Sequence, residues 1–294
     1  MRLAILGRDG DGPRLGVVTG ATIVDVTAAL PWRRDPDPLT AGWWRRLCRD
    51  LELVRPALEA AAADPGAPRT PVSEARLLAP ALNPSKIVAA ASNYAGHVAE
   101  MHQVQRRTLG RVEPWMMEFD VFLKAPSSIA GPRDDIVLPP DQLRLGNEIH
   151  HEAELVAVVG RGGKDIPPQE ALSRIAGYLI GLDITVRSKA DRSRRKSYDT
   201  FSPLGPWLVT RDEAGDPAGM DIELERNGVL RQKVAARDML VPVPDIVAYA
   251  SRIMTLLPGD VIFTGAPPGV GPIEPGDRLR VRISRLGEME LRVR

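Results

Sequence analysis

Short apolar runs separated by polar turns open the chain. Residues 3–6, 15–18 and 23–26 each carry such a run, and their close spacing predicts a small antiparallel meander. Residues 40–63 then carry apolar positions at helical spacing among good helix formers, which predicts a helix. The beginning of the chain therefore combines a few strands with one helix.

The Pro- and Gly-rich segment 64–70 indicates a domain boundary. We therefore divide the chain into a small N-terminal α+β domain, residues 1–78, and a larger domain, residues 79–294. Seven strand-like apolar runs follow in the larger domain. They lie at 86–91, 154–159, 178–184, 207–210, 222–226, 261–264 and 279–283.

Helices are fewer in the larger domain. The pattern predicts a short helix over residues 94–102 and a longer one over 243–257, closed by the turn Pro258-Gly259. The Arg- and Met-rich stretch 103–120 has no clear periodicity. Because strands outnumber helices and do not alternate regularly with them, a mixed, mostly antiparallel, β-rich α+β fold fits better than a doubly wound α/β sheet.

Composition narrows the classes of function. The 39 basic residues nearly balance the 38 acidic ones, for a formal charge of +1, so no global field points to nucleic acid or to an anionic membrane. No apolar run reaches the roughly 18 residues that a membrane span needs, and the N-terminus lacks a signal-like apolar stretch. The single cysteine, Cys48, excludes an intramolecular disulfide and a cysteine-based zinc site. We expect a cytoplasmic protein with neither a nucleic-acid nor a membrane partner.

Two glutamates lead directly into the apolar run 156–159. On a strand Glu152 and Glu154 point to the same face, because side chains alternate. Two carboxylates beside a buried run repel each other and lose solvation unless a cation compensates them, and hard oxygen ligands suit Mg²⁺, Mn²⁺ or Ca²⁺. The spacing alone is equally compatible with an edge strand whose glutamates are solvated.

A third acid, Asp183, ends the apolar run 178–182. An ionisable group at the end of a buried strand is a better site candidate than one in a loop, although it could also begin a turn or cap a helix. Three carboxylates without a cysteine would suit a cation that keeps open positions for substrate and water.

His97 and Glu100 lie three residues apart in the predicted helix 94–102, so their side chains can touch. A carboxylate beside an imidazole raises the imidazole pKa and orients the ring, which suits a general base acting on water. An ordinary surface ion pair has the same spacing and is the commoner case. The chain has no Gly-x-Ser-x-Gly elbow, no phosphate-binding loop and no dinucleotide fingerprint.

Seven segments, taken in order, resemble the fumarylacetoacetate hydrolase family. They are residues 86–101, 122–132, 150–166, 175–185, 196–210, 226–232 and 256–283, among them KIVAAASNYAGHVAEM, HHEAELVAVVGRGGKDI and KSYDTFSPLGPWLVT. The resemblance implies a β-sandwich roll as the core, a smaller and variable N-terminal region, and a homodimer.

The resemblance also implies roles for individual residues. Glu152, Glu154 and Asp183 are expected to bind Mg²⁺ or Mn²⁺, which chelates the 2-oxo-carboxylate end of a small 2-oxo acid substrate. His97 and Glu100 match the pair that activates water. The remaining expected site residues are Lys196, which binds or polarises a substrate oxygen, and the substrate contacts Tyr94, Arg187, Thr264 and Gly265.

These roles predict a hydrolase that cleaves a C–C bond of a 2,4-dioxo acid of acylpyruvate or fumarylpyruvate type, in aromatic or related catabolism. Such cleavage needs a nucleophile at one carbonyl, which activated water supplies, and stabilisation of the enolate that leaves, which a Lewis-acidic cation supplies. The alternative is a decarboxylase, isomerase or dehydratase of 2-oxo acids with the same metal site. A third hypothesis, an inactive binding or scaffold protein, is disfavoured because all five metal and His-Glu positions are intact.

Two departures from the family pattern lie where substrate is selected. After Asp183, Ser188 and Ala190 replace an acid and an amide that often face the site in relatives. The stretch from Glu100 to Lys124 is longer than in compact relatives. Both changes leave the metal ligands intact and affect the part of the site that reads the rest of the substrate.

Overall fold

The computed structural model describes residues 1–7, 12–32 and 42–294. Its strands are β1 Arg2–Leu6, β2 Arg14–Thr19, β3 Thr22–Asp25, β4 Arg69–Pro71, β5 Leu77–Leu78, β6 Ile87–Ala91, β7 Asp120–Lys124, β8 Ile129–Ala130, β9 Ile149–His151, β10 Ala153–Val159, β11 Ile175–Leu182, β12 Thr185–Val186, β13 Ser202–Thr210, β14 Asp221–Arg226, β15 Val229–Ala235, β16 Val261–Phe263, β17 Gly271–Pro272, β18 Arg278–Ile283 and β19 Gly287–Arg292. Its α-helices are α1 Gly42–Ala63, α2 Ala95–Leu109, α3 Pro140–Arg144, α4 Pro168–Ala171, α5 Arg192–Lys196, α6 Arg211–Ala214 and α7 Val243–Ile253.

One large sheet organises the molecule. It has 12 strands, with the order β4-β3-β2-β1-β13-β11-β10-β16-β6-β7, while β5 pairs with β1 and β8 pairs with β13. A four-stranded sheet, β15-β14-β18-β19, and a three-stranded sheet, β12-β9-β17, complete the described β-structure. Among the strand pairs of the described ranges, β16–β6 and β13–β8 are parallel and the others are antiparallel. The predicted mixed, β-rich α+β fold is confirmed.

The N-terminal strands form the predicted meander and extend the large sheet. β1 pairs antiparallel with β2, and β2 with β3. The other edge of β1 pairs with β13, so the meander continues the sheet of the larger part. Helix α1 agrees with the prediction over 40–63, whose first two residues lie outside the described ranges. The domain boundary at residue 78 stays a prediction.

The central strands β10 and β11 are buried along their whole length. Along β10, Leu155 and Ala157 belong to one hydrophobic cluster, and Val156 and Val158 belong to another. Helix α7 and the four-stranded sheet contribute to the first cluster, whereas α1 and the meander contribute to the second. Because both faces of these strands are covered, their sequences are continuous apolar runs and do not alternate between apolar and polar residues.

Two predicted helices have different ends in the structure. Helix α2 continues past residue 102 to Leu109 and ends at Gly110, whose φ of 77° closes it in the left-handed region. Helix α7 ends at Ile253 rather than at residue 257, because Leu256 forms an antiparallel bridge with Gly163 and the chain must be extended there. No helix in the described ranges is long and apolar enough to cross a membrane.

Candidate active site

The register of two neighbouring strands brings the predicted metal ligands together. β10 pairs with β11 so that Ala153 lies opposite Leu182. This places Glu152, just before β10, beside Asp183, just after β11, and the Asp183 N–H donates to the Glu152 carbonyl at 2.8 Å. Glu154 lies two residues further along and returns to the face of Glu152.

The three carboxylates form one compact, buried group, which we call the carboxylate cluster: Glu152, Glu154 and Asp183. Each offers an oxygen within 4.8 Å of the others, and each is at most 3% exposed. The sequence prediction that these three acids meet is confirmed. An all-oxygen donor set of this kind is what hard divalent cations bind in proteins.

The carboxylates of the cluster are not equally compensated. Burial and the two neighbouring carboxylates raise the pKa of Glu154 well above its usual value, although the Gly265 N–H donates to it at 2.6 Å. Burial also acts on Glu152, but the positive charges of Lys196 and Arg187 bring the pKa of Glu152 well below its usual value. A cation beside Glu154 would supply the compensation that it lacks. The residues present therefore fit a divalent metal ion.

Two buried lysines bind the cluster. The Lys196 ammonium donates to Glu152 at 2.8 Å and to Asp183 at 2.5 Å. The Lys124 ammonium donates to the other oxygen of Asp183 at 2.7 Å and to the Phe201 carbonyl at 2.8 Å. The resemblance pointed to Lys196, and its contact with a substrate oxygen stays a prediction. Sequence analysis missed Lys124; its only signal was its place within a family-like segment.

Tight contacts fix the beginning of α2 against the loop that follows β16. The Asn93 amide donates to the Thr264 carbonyl at 2.7 Å and to the Val241 carbonyl at 2.9 Å. A Cβ on Gly265, whose φ is 103°, would lie 2.6 Å from the Asn93 Cβ, so only glycine allows this approach. The first turn of α2 is thereby held at the edge of the pocket, and Asn93 is a positioning residue that sequence analysis missed.

His97 projects from this first turn into the pocket that the carboxylate cluster lines. Its Nδ1 lies 3.9 Å from Glu100 Oε2, too far for a hydrogen bond, and is buried without a hydrogen-bond partner in the described part of the chain. The Glu100 carboxylate instead accepts from the Gly269 N–H at 2.7 Å and 3.0 Å. The predicted pair is therefore adjacent, with Glu100 anchored to the loop.

The expected substrate contacts are placed differently from one another. Arg187 lines the pocket and donates to Glu152 at 2.5 Å. The Thr264 hydroxyl donates to the Leu155 carbonyl at 2.8 Å, and Gly265 binds the cluster, so both support the site from behind. Tyr94 is 1% exposed and lies in the core, where burial raises the pKa of its hydroxyl. Their contact with substrate stays a prediction.

Apolar and cationic side chains also line this pocket, and we call them together the far wall: Met101, Val104, Met116, Arg192 and Arg195. Met101 and Val104 reach it from α2, and Met116 reaches it from the segment after α2. Arg192 and Arg195 reach it from the short helix α5. Sequence analysis assigned these two arginines no role.

Comparison with known proteins agrees with this geometry. Residues 86–294 match the family described as fumarylacetoacetate (FAA) hydrolase, C-terminal. Over 286 residues the chain is 39% identical to a maleylpyruvate hydrolase of Aquipseudomonas alcaligenes, covering 96% of each chain. It is 34% identical over 291 residues to a mitochondrial oxaloacetate tautomerase of Homo sapiens, covering 94% of this chain and 86% of that one.

Solved structures show the same relationship. A maleylpyruvate hydrolase from Sphingobium sp. SYK-6, in complex with manganese(II) and pyruvate, superposes with a TM-score of 0.83 at 40% identity. The match covers 100% of this chain and 98% of that one. The expected family and fold are confirmed, and the buried carboxylate cluster matches an enzyme family in which a divalent metal has been observed. The chain is a metal-site enzyme that belongs to the fumarylacetoacetate hydrolase family.

Proposed function

We propose that this enzyme hydrolyses a C–C bond of a small 2,4-dioxo acid of acylpyruvate or fumarylpyruvate type, with Mg²⁺ or Mn²⁺ as cofactor. The observation that carries the proposal is that one pocket contains the buried carboxylate cluster and the unpaired His97 Nδ1. The relatives whose names state hydrolysis of maleylpyruvate cover nearly the whole chain and support it.

The residues divide the work as follows. His97 takes a proton from water, whose oxygen adds to the carbonyl carbon distant from the carboxylate, and Glu100 orients the imidazole. The bond between that carbon and the neighbouring methylene then breaks, and its electron pair leaves with the pyruvate fragment as an enolate. His97 returns its proton to the former methylene carbon of this enolate, which gives pyruvate. The cation, when bound, supplies Lewis-acid polarisation of the 2-oxo group. Lys196, held between Glu152 and Asp183, keeps a positive charge beside the developing enolate oxygen.

The second candidate is a non-hydrolytic enolisation, such as tautomerisation, decarboxylation or dehydration of a 2-oxo acid. The relatives named oxaloacetate tautomerase favour it, since they are 34% identical over 291 residues. It needs proton transfer and enolate stabilisation but no water addition, so the same His97 and lysine could serve. The two candidates differ in whether a C–C bond of a dioxo acid is cleaved with uptake of water.

A substrate panel decides between them. Acetylpyruvate, fumarylpyruvate, maleylpyruvate and oxaloacetate are incubated with the protein and Mg²⁺ or Mn²⁺, the diketo absorbance is followed, and products are identified. We expect pyruvate plus a carboxylic acid, and loss of activity with a chelator. Release of CO₂, or enol–keto interconversion without cleavage, would instead support the second candidate. An unchanged absorbance with every compound would favour the scaffold hypothesis.

The remaining expectations belong to the same proposal. We infer a homodimer and a cytoplasmic location from the family resemblance and the single buried cysteine, Cys48. Sedimentation of the purified protein measures the first, and fractionation of the producing cell measures the second. A monomer with full activity would contradict the dimer.

A further inference from the structure

A glutamine occupies a core position on an exposed edge strand. Gln232 lies in β15, at the edge of the four-stranded sheet, and is fully buried, whereas its neighbours Arg231 and Lys233 are exposed. It pairs with Leu224 of β14 and lies on the same buried face of the sheet. A buried amide loses its hydrogen bonds to water, so it is tolerated only if the protein replaces them.

The Gln232 side chain makes three such contacts. Its Oε1 accepts the Ala153 N–H at 3.0 Å and lies 3.1 Å from His151 Nδ1, and its Nε2 donates to the Pro267 carbonyl at 2.9 Å. A backbone N–H can only donate and a carbonyl can only accept, so these partners fix the orientation of the amide. Gln232 therefore joins the beginning of β10 to the loop of residues 264–270, which we call the active-site loop.

The Ala153 contact holds the backbone between two members of the carboxylate cluster. Ala153 separates Glu152 from Glu154, whose carboxylates must lie on one face to reach the same cation. A hydrogen bond to the N–H between them restricts the backbone angles that decide where both carboxylates point. Gln232 therefore acts on the geometry of the metal site, although its bond is made to the backbone.

The Pro267 contact holds the active-site loop, which binds both halves of the site. The Gly265 N–H donates to Glu154 at 2.6 Å, and the Gly269 N–H donates to the two oxygens of Glu100 at 2.7 Å and 3.0 Å. Pro267 lies midway between these glycines along the chain. One hydrogen bond at its carbonyl therefore fixes the loop at the point from which both donors reach their carboxylates.

The active-site loop is also packed closely against β15 and against α2. A Cβ on Gly269, whose φ is 92°, would lie 1.9 Å from the Arg231 carbonyl oxygen, so only glycine lets the loop approach the strand this closely. A Cβ on Gly96, in the first turn of α2, would lie 3.0 Å from the Pro268 ring. A displaced loop would therefore disturb its contact with the helix that carries His97.

We propose that Gln232 is a positioning residue that couples the metal ligands to the His97–Glu100 pair. By binding the Ala153 N–H and the Pro267 carbonyl at once, it fixes the two N–H donors of the active-site loop relative to the beginning of β10. The inference rests on the proposed function for the role of Glu100 in turnover. Its effects on the loop and on metal binding do not depend on that role.

Hydrogen exchange of the metal-free protein tests the positioning without turnover. Gln232→Met keeps the length of the side chain and removes its hydrogen bonds, so we expect the amide hydrogens of the active-site loop to exchange about 10-fold faster. The matched control is Gln142→Met, because Gln142 is also buried and its side-chain bonds stay within residues 141–147. The control should leave exchange in the loop unchanged. Unchanged exchange in Gln232→Met would overturn the proposal.

Metal affinity and turnover separate the two sides of the coupling. We expect Gln232→Met to bind Mn²⁺ about 10-fold more weakly, the usual scale for a residue that orients metal ligands. At saturating Mn²⁺ its kcat, on whichever 2-oxo acid the substrate panel finds reactive, should stay about 10-fold low with KM within about 3-fold. Gln142→Met should change none of these quantities. Wild-type Mn²⁺ affinity, or full recovery of kcat at saturating Mn²⁺, would overturn the coupling.

A double-mutant cycle tests the route through Glu100. Glu100→Ala removes the carboxylate that the Gly269 N–H binds, so Gln232→Met should lower kcat by less than about 3-fold further in that background. A full 10-fold loss in both backgrounds would overturn the coupling. If Gln232→Met does not fold, Gln232→Asn replaces it, because its shorter side chain cannot reach both the Ala153 N–H and the Pro267 carbonyl. If no compound of the panel reacts, the proposed function fails, while hydrogen exchange and Mn²⁺ affinity still decide the role of Gln232.

Discussion

The carboxylate cluster and the far wall line one pocket, and each contains a buried ionisable group whose charge the protein compensates only in part. In the cluster the group is Glu154, whose pKa burial and neighbouring carboxylates raise, while Lys196 and Arg187 compensate Glu152. In the far wall the group is Arg195, whose Nε has no hydrogen-bond partner in the described chain and whose charge Glu152 and Asp183 offset only in part. A bound cation would supply the compensation that Glu154 lacks.

The carboxylate cluster and the far wall are also built on different scaffolds. The cluster stands at the ends of β10 and β11, which are buried on both faces and joined by a regular ladder. The far wall comes from α2, the segment after it and the short helix α5. A rigid sheet suits metal ligands, which must hold their geometry, whereas helices and loops can vary without disturbing the sheet. We therefore expect the cluster to perform the chemistry and the far wall to affect which substrate is accepted.

The largest expected effect comes from removing charge within the cluster. Asp183→Asn and Glu154→Gln should each reduce turnover by about 10³-fold or more, because each removes a ligand from the divalent cation. Their effects on the metal-free protein should differ. Asp183→Asn leaves Lys124 and Lys196 without a shared carboxylate and should lower the free energy of unfolding by about 3 kcal/mol. Glu154→Gln removes an uncompensated charge and should leave that free energy unchanged or raise it.

Denaturant unfolding in the presence of a chelator, together with Mn²⁺ titration, measures both effects. Glu170→Gln, a change of the same kind at a half-exposed glutamate far from the pocket, is the control for both readouts. Full activity of Glu154→Gln after chelation would refute the metal assignment. Equal destabilisation by the two variants would show that the charges of Asp183 and Glu154 are compensated to the same degree, contrary to the difference proposed here.

His97→Asn should have the next largest effect, about 100-fold on the hydrolysis rate, because it removes the proposed general base. It should leave Mn²⁺ affinity near the wild-type value, since His97 is not among the cluster's ligands. Stopped-flow cleavage of a dioxo acid and Mn²⁺ calorimetry are the two measurements. An unchanged rate would mean that water is activated elsewhere. If His97→Asn slows enol–keto exchange but leaves cleavage unchanged, His97 transfers a proton at carbon and does not activate water.

A smaller effect, whose direction can be predicted, is the change in stability of the metal-free protein with pH that Glu154 causes. The folded pKa of Glu154 lies above its unfolded value, so the folded state binds the proton more tightly. This contribution to stability is complete below the unfolded pKa and is lost as the pH rises through the folded pKa. Metal-free wild-type protein should therefore lose stability relative to Glu154→Gln as the pH rises above the ordinary carboxyl range. Unfolding curves at several pH values with a chelator test it, and parallel profiles would contradict the assignment. Saturating Mn²⁺ should reverse the difference, because it stabilises the wild-type protein more than a variant that lacks one metal ligand.

The same contrast explains what the sequence could predict. The apolar runs of β10 and β11 were visible because both strands are fully buried, and Glu152, Glu154 and Asp183 stand next to those runs. Their meeting depended on the register of two strands that are distant along the chain, which the resemblance supplied and periodicity did not. The local pattern of apolar residues therefore predicted the strands. The family resemblance predicted that the three carboxylates meet.

The far wall was harder to predict for a physical reason. Met101, Val104 and Gln105 of α2 line a pocket rather than a continuous core, so the helical signal fades and the predicted helix ended seven residues before Leu109. Buried cations such as Lys124 and Arg195 violate the usual rule that charges are exposed. Nothing in a single sequence distinguishes them from solvated ones, so their burial was found only in the structure.

Thr264→Val should have the smallest effect. It tests whether the Thr264 hydroxyl only supports the backbone behind the site or also contacts substrate. Its hydroxyl is fully buried and donates to the Leu155 carbonyl, which also accepts the Thr264 N–H at 3.1 Å. Since that carbonyl keeps one partner, the free energy of unfolding should fall by no more than about 1 kcal/mol and kcat/KM by less than about 3-fold. If the hydroxyl contacts substrate, as the family resemblance implies, kcat/KM should instead fall by about 10-fold or more while stability changes little. Denaturant unfolding beside steady-state kinetics separates these outcomes, and the second would extend substrate recognition into the loop behind the carboxylate cluster.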